Sequence, residues 1–376
     1  MNIKFSKPLA YSENYPSPII KGVTELKWTN LLFNKTHYAS DSHFFSVNGR
    51  TGLAIIGQYI KLNKEHTVLL PSYHCPALVE PFIWLGVNIR FYKLNKDLSI
   101  DIDDFKSKLD KSVKACLFVH FFGFSPDFSQ LSPLLKKYKE TIIIEDCAHS
   151  FYSPQIDNSK NMGDYSVVSC NKFLPSNEGS IVYGIKRDEI TNTLTPPSLL
   201  SEFKLLLNSL PLIPQLINIS RSLVQNKDHH QNIENHKPIP KKDALFRYFN
   251  PNDMQQSSSR ISQFIIEHSN HKKIKQKRRN NFKFLLKHLE HSKAGKPLFS
   301  ILPDDIVPYV FPFILNNPQS FDIIKNRGLA LFRWEELAES DCSISHFYRD
   351  CLVQIPCHQD LTQSNLNDIL TIIEEL

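Results

Sequence analysis

The chain holds 376 residues, with 44 Lys and Arg against 38 Asp and Glu, a net charge of +6 at pH 7, and 41% hydrophobic residues. That length exceeds what one hydrophobic core fills, so two lobes are expected, and the small, scattered basic excess gives no ground for a nucleic-acid partner. The longest apolar stretches, such as residues 115–122, are too short to span a bilayer, and the amino terminus lacks a basic flank followed by an apolar core. The expected setting is cytoplasmic, with the seven Cys, odd in number and without a CxxC pair, as reduced structural thiols.

From residue 48 to 184, strand-like runs alternate with helix-like ones. Residues 67–70, 88–92, 115–120, 141–146, 165–169 and 180–183 predict strands, while 53–62, 77–85 and 128–138 carry apolar residues at helical spacing. Such alternation predicts a mainly parallel sheet covered by helices. The pattern lapses over 191–250, where the polar stretch 226–242, rich in His, Asn and Lys, reads as a lid-like insert. A long helix is predicted over about 256–291, with Ile261, Phe264, Ile265 and His268 and then Phe282, Leu285, Leu286 and Leu289 on repeating faces. Strands over 309–315 and 352–356 and a helix over 365–376 complete a smaller second lobe. The expected division is 1–250, a large domain containing the insert, and 251–376, a long helix with a small domain.

The chemistry concentrates in three places. Asn48-Gly49-Arg50-Thr51-Gly52-Leu53 opens the first helix, where glycines let backbone amides approach an anion and Thr51 adds a hydroxyl; most such helix starts nevertheless bind nothing. The run Ile142-Ile143-Ile144-Glu145-Asp146 delivers a carboxylate at the end of a buried strand, which is costly without a cationic partner. A protonated pyridine nitrogen is one such partner. By itself Asp146 reads equally as a capping or salt-bridged residue, and His149 as an ordinary packed histidine. Lys172 follows a strand ending in Ser169 and sits among apolar residues, where desolvation lowers an amine's pKa and frees it to attack a carbonyl. An Asp and a Lys brought together this way are what a pyridoxal 5′-phosphate site requires. Ser169 can donate to a phosphate or serve as a plain strand-end hydroxyl.

Taken together these motifs resemble the DegT/DnrJ/EryC1/StrS family of pyridoxal-phosphate-dependent aminotransferases. The matching features, in the family's order, are the Gly49-Arg50-Thr51 helix start, Leu70-Pro71-Ser72-Tyr73-His74-Cys75-Pro76, Glu145-Asp146-Cys147-Ala148-His149-Ser150, and Gly163-Asp164 leading to Ser169 and Lys172. Ile355-Pro356-Cys357-His358-Gln359 resembles the closing strand motif. The resemblance covers residues 45–184 strongly and the second lobe loosely. It implies a three-layer α/β/α sandwich, the pyridoxal-phosphate transferase fold type I, with a smaller carboxyl-terminal α+β domain.

The resemblance also assigns roles. Lys172 would be the catalytic residue and hold the cofactor covalently, Asp146 would pair with the pyridine nitrogen, and His149 would lie beside the ring. Gly49, Arg50, Thr51 and Ser169 would take the phosphate, and Cys75 falls where the family often stacks an aromatic ring, with Tyr73 and His74 adjacent. Arg50 stands where a small hydroxylated residue is common, and Glu178-Gly179-Ser180 replaces paired glycines. The implied reaction moves an amino group from an amino acid such as glutamate to a keto sugar, nucleotide-linked as for most of the family, in a homodimer with shared sites. Two rivals stay open: a sugar dehydratase, for which the family tends to carry His in place of the lysine, and a cofactor-free protein on the same scaffold. No metal is expected; His229, His230 and His236 read as a solvated loop and Lys272 to Arg279 as a solvated helix face.

Overall fold

The structure is a computed structural model that describes residues 3–9, 15–27, 30–32, 43–152, 163–190, 194–198, 200–202, 205 and 246–376. Most of the predicted insert, including His229, His230 and His236, lies outside the described residues.

In chain order the first lobe comprises β1 (His43–Ser46), α1 (Gly49–Tyr59), β2 (Thr67–Pro71), α2 (Pro76–Trp84), β3 (Asn88–Tyr92), α3 (Ile102–Lys108), β4 (Val113–Val119), α4 (Leu131–Leu135), β5 (Ile142–Asp146), β6 (Tyr165–Ser169), β7 (Ser180–Tyr183) and α5 (Arg187–Ile190). The strands form one seven-stranded sheet of order β1-β7-β6-β5-β4-β2-β3. Its β3-β2-β4-β5-β6 portion is parallel, and β7 and β1 close one edge antiparallel. The antiparallel turn at β7 has a direct cause: residues 170–179 between β6 and β7 are too few for a crossover, so the chain folds back as a hairpin pairing Ser169 with Ser180. Lys172 rides on that connection.

The second lobe comprises α6 (Arg260–His268), α7 (His271–Leu289), β8 (Gly295–Pro297), β9 (Val310–Leu315), α8 (Ser320–Asn326), α9 (Ser343–Cys351), β10 (Leu352–Pro356) and α10 (Gln363–Glu374). Its sheet, of order β10-β9-β8, is antiparallel. Phe282, Leu285 and Leu289 of α7 and Leu366, Ile369 and Ile373 of α10 share the core of this sheet with Phe311, Phe313 and Val353. The amino-terminal residues attach here as well: Phe5 pairs with Ala338 and Ile20 with Leu329. A separate apolar cluster joins the lobes, in which Phe151, Val168, Cys170 and Phe173 from the first pack with Ile266, Ile274 and Val307. Fully burying a ring such as Phe173 is worth about 1.5–3 kcal/mol.

The mainly parallel α/β sheet and its flanking helices follow the expectation, with four corrections. The helix expected over 128–138 forms only at Leu131–Leu135. The helix expected over 256–291 is two helices, because Ser269 is extended (φ −63°, ψ 146°) and Asn270 restarts the chain by accepting from the Lys273 amide. The short β1 and the polar α3, which buries only Phe105, lack the periodicity that announces the others. Lastly, the basic run on α7 is not wholly a solvated face, since Arg278 is 1% exposed.

Candidate active site

The site lies at the carboxyl end of the parallel strands, where ligands bind in open α/β sheets. Val119, Asp146 and Val167 stand side by side as the register partners of β4, β5 and β6. Asp146 is half-buried and accepts a hydrogen bond from the Ala148 amide at 2.9 Å. Burial pushes its carboxyl above the usual carboxylate range, opposed by the positive charge of Lys172. Lys172 ends a 3-10 turn, Cys170–Lys172, directly after β6. Burial pushes its amine down; Cys75 and Asp146 oppose that effect and Arg50 reinforces it. The two groups therefore feel each other's charge across adjacent strands.

His149 follows Asp146 by three residues and is 4% exposed. Burial, then the charge of Lys172, holds it well below the ordinary histidine range, so it is neutral. Its ring stacks on Tyr309 with centroids 4.5 Å apart and on Phe122 at 5.7 Å, and Phe122 N–H donates to Nδ1 at 3.3 Å. The Lys172 Nζ lies 5.6 Å from the Tyr309 ring centroid, within cation–π range. Trp334 closes the group, 5.5 Å from His149 and 4.9 Å from Tyr73.

The start of α1 reaches the same place from the other side. Asn48 caps the helix, its side-chain oxygen accepting from Thr51 N–H at 3.0 Å and Thr51 Oγ1 at 3.1 Å, while its amide donates to Asp253 at 3.3 Å. The Thr51 hydroxyl is thus engaged in the cap. Gly49 lies against β6: a Cβ there would stand 3.6 Å from Val167 and 3.9 Å from Ser169. Ser169 donates to the Asn171 side chain at 2.9 Å. Arg50 is half-buried, and its Nε is buried with no hydrogen-bond partner among the described residues. Burial lowers its pKa, with Asp253, Cys75 and Glu80 opposing.

The candidates named from sequence are accordingly drawn together. Arg50, Cys75, Asp146 and His149 all act electrostatically with Lys172, and Gly49 adjoins Ser169. Cys75 caps α2 without a side-chain hydrogen bond to it. The neighbouring rings lead elsewhere: His74 stacks on Phe91 at 5.2 Å, and Tyr73 packs on Trp334. Sequence reasoning did not find Tyr309 and Trp334, which enter from the second lobe with no local motif. It also did not find the buried pair beneath the site, His120 Nε2 and Glu145 Oε2, 2.7 Å apart. With Cys147 these two bring donor atoms within 4.8 Å of one another. Both Glu145 oxygens are already engaged, however, the second by Gly163 N–H at 2.7 Å.

A donor set of carboxylate, amine, guanidinium and helix amides, with Cys75 alongside, suits an anionic, aldehyde-bearing heteroaromatic. Among the described residues the Asp146 carboxylate has no cationic hydrogen-bond partner and Arg50 Nε has no acceptor, so the residues present fit pyridoxal phosphate.

Comparison with known proteins agrees. Residues 34–181 match the profile of the DegT/DnrJ/EryC1/StrS aminotransferase family. GDP-perosamine synthase of Vibrio cholerae is 27% identical over 141 residues, and the match spans 36% of this chain and only 38% of that protein. GDP-4-keto-6-deoxy-D-mannose 3-dehydratase of Yersinia pseudotuberculosis is 28% identical over 109 residues, 29% of this chain and 27% of that protein. Among solved structures, NtdA from Bacillus subtilis, described with bound cofactor PMP, superposes with a TM-score of 0.60 at 14% identity, covering 89% of this chain and 72% of that one. The shared architecture is the fold type I of pyridoxal-phosphate enzymes, and the likeness to the DegT/DnrJ/EryC1/StrS aminotransferase family is carried by residues 34–181, less than half of the chain.

Proposed function

We propose that the protein is a pyridoxal-phosphate-dependent aminotransferase that moves an amino group from an amino acid, glutamate by preference, to a keto sugar carried on a nucleotide, in amino-sugar or surface-polysaccharide synthesis. The observation that carries this reading is the placement of Asp146 at the end of β5 and of Lys172 in the turn that directly follows the adjacent parallel strand β6, with buried His149 three residues beyond Asp146. When bound, pyridoxal phosphate supplies an aldehyde and an electron-accepting ring.

Each residue then has a task. Asp146 holds the pyridine nitrogen in its protonated form through a charge-assisted hydrogen bond. The amides of Gly49 and Arg50 and the Arg50 guanidinium would bind the phosphate, with the Ser169 hydroxyl joining them on leaving Asn171, while Thr51 would hold the helix start in place through its bonds to Asn48. His149 and Cys75 line the ring. Lys172, its amine held in the neutral form by burial, would hold the cofactor at its aldehyde and would serve as the base that moves a proton at the substrate carbon. The aromatic wall of Tyr309 and Trp334 excludes water. We further propose a homodimer with shared sites, to be checked by sedimentation; among the described residues no helix is long and apolar enough to cross a membrane.

The test is direct. Protein saturated with pyridoxal phosphate should show an absorbance band that borohydride fixes onto the Lys172 peptide, and Lys172→Ala should lose it together with about 10³-fold or more of activity. Glutamate should yield stoichiometric 2-oxoglutarate, and mass spectrometry with nucleotide-linked 3-keto and 4-keto sugars should find the aminated product. The dehydratase relative keeps one alternative in view: loss of water from the sugar without transfer of nitrogen would overturn amino transfer.

A further inference from the structure

Arg278 has no part in the assignments above, yet few side chains in the molecule are so deeply engaged. It lies on α7 in the second lobe, and its guanidinium reaches oxygens from three separate segments. Nη2 donates to the carbonyls of Lys172 at 3.3 Å and Phe173 at 3.4 Å. Nη1 donates to the carbonyls of Tyr309 at 2.8 Å and Pro308 at 3.4 Å. Nε donates to the side-chain oxygen of Gln359 at 2.8 Å, and Gln359 in turn donates to the Phe173 carbonyl at 2.9 Å. The guanidinium also covers the Phe173 ring, 4.5 Å from its centroid.

Every one of these acceptors is neutral, and no carboxylate forms an ion pair with Arg278 among the described residues. A cation buried in this way is costly, and an apolar side chain would fill the space more cheaply. What an apolar side chain cannot do is hold several carbonyls in one plane, which is the particular capacity of the guanidinium fork. The far end of the same hairpin is held too: Glu178 accepts from Ser259 N–H, at the cap of α6, at 2.6 Å. The stretch from Lys172 to Glu178 is therefore clasped at both ends by the α6–α7 pair.

We propose that Arg278 is a positioning residue for Lys172, fixing from the second lobe both the backbone that carries the amine and the Tyr309 ring that the amine faces. Closure of the second lobe on the first and the placement of the nucleophile are then a single event. The inference rests on the reading of Lys172 as the nucleophile, but its test does not require the cofactor. In full-length, cofactor-free protein, the rate at which cyanate carbamylates Lys172, followed by peptide mass spectrometry across pH, reports how far the amine is kept from water. Arg278→Lys retains the charge and loses the fork; it should raise the labelling midpoint by about one pH unit. With cofactor and substrates, kcat should fall more than KM for the donor changes.

Lys277→Gln, an exposed neighbour on the same helix, should leave the profile unchanged. Gln359→Leu, which removes one bond of the fork and one to Phe173, should shift it in the same direction by less, and it decides the matter should Arg278→Lys not fold. A lowered melting temperature with an unaltered Lys172 profile in the folded variants would overturn the proposal and leave Arg278 as packing alone. Wild-type protein that binds no pyridoxal phosphate would instead sink the functional reading, with the labelling result standing.

Discussion

The last two residues of β5 are consecutive carboxylates on opposite faces of the sheet, and they have opposite fates. Glu145 is fully enclosed, bonded to His120 through one oxygen and to Gly163 N–H through the other. The Asp146 carboxylate accepts one hydrogen bond among the described residues, from the Ala148 amide, and shares its surroundings with Lys172. Side chains alternate along a strand, so a carboxylate pair at its end presents one group to the interior and one to the ligand edge. The satisfied member serves the fold, and the member with unused acceptor capacity is the one proposed to meet the cofactor.

The sharpest way to break this contrast is to remove each carboxylate in turn. Glu145→Ala leaves His120 Nε2 and the Gly163 amide without their carboxylate partner, and chemical denaturation should register a loss of about 1–3 kcal/mol. Cofactor spectra of whatever protein remains folded should be unchanged. Asp146→Asn should do the converse, keeping stability while depriving the ring nitrogen of its counter-ion. A large stability loss in Asp146→Asn would erase the distinction.

A subtler separation uses pH. Because burial raises the Asp146 pKa in the folded chain, the native state binds that proton more readily than the unfolded state does. Its contribution to stability is fully present below the ordinary Asp value of about 4 and is lost as pH rises through the raised one. In cofactor-free protein, denaturation midpoints of the wild type should therefore fall relative to Asp146→Asn as pH increases over that window. A constant difference would contradict the assignment.

The smallest effect concerns Arg50, whose charge helps depress the Lys172 amine. Arg50→Thr should raise that pKa, so cyanate should label Lys172 more slowly at pH 8 than in the wild type. The same variant should release pyridoxal phosphate more readily in gel filtration.

Much of this was legible in the chain, and where it was not the reasons are physical. The runs that became β3, β6, β7 and β10 were bounded correctly because β-branched and aromatic residues cluster between turn formers. β1 is four residues long, and α3 is held by its Asp101 cap with Phe105 as its sole buried residue, so neither carries a period. The break at Ser269 and Asn270 was hidden by apolar spacing that runs on across it. Local motifs disclosed Asp146, His149 and Lys172 because one strand and one hairpin deliver them. Tyr309 and Trp334 arrive through tertiary folding, which short-range pattern does not encode. Arg278 lies between these cases: it stands four residues after Ile274 and four before Phe282, in register with the buried stripe that continues through Leu285 and Leu289. A cation on the apolar face of an amphipathic helix was the available signal.

Phe122 carries one more consequence. Its backbone is left-handed (φ 59°), unusual for a residue with a side chain, and its amide donates to His149 Nδ1. A ring nitrogen that accepts a hydrogen bond cannot also bear the proton, so the tautomer of this neutral imidazole is settled, with its only N–H on Nε2. The handedness of one phenylalanine thereby makes the histidine a donor through Nε2, able to meet an anionic oxygen and without a free nitrogen to act as a base.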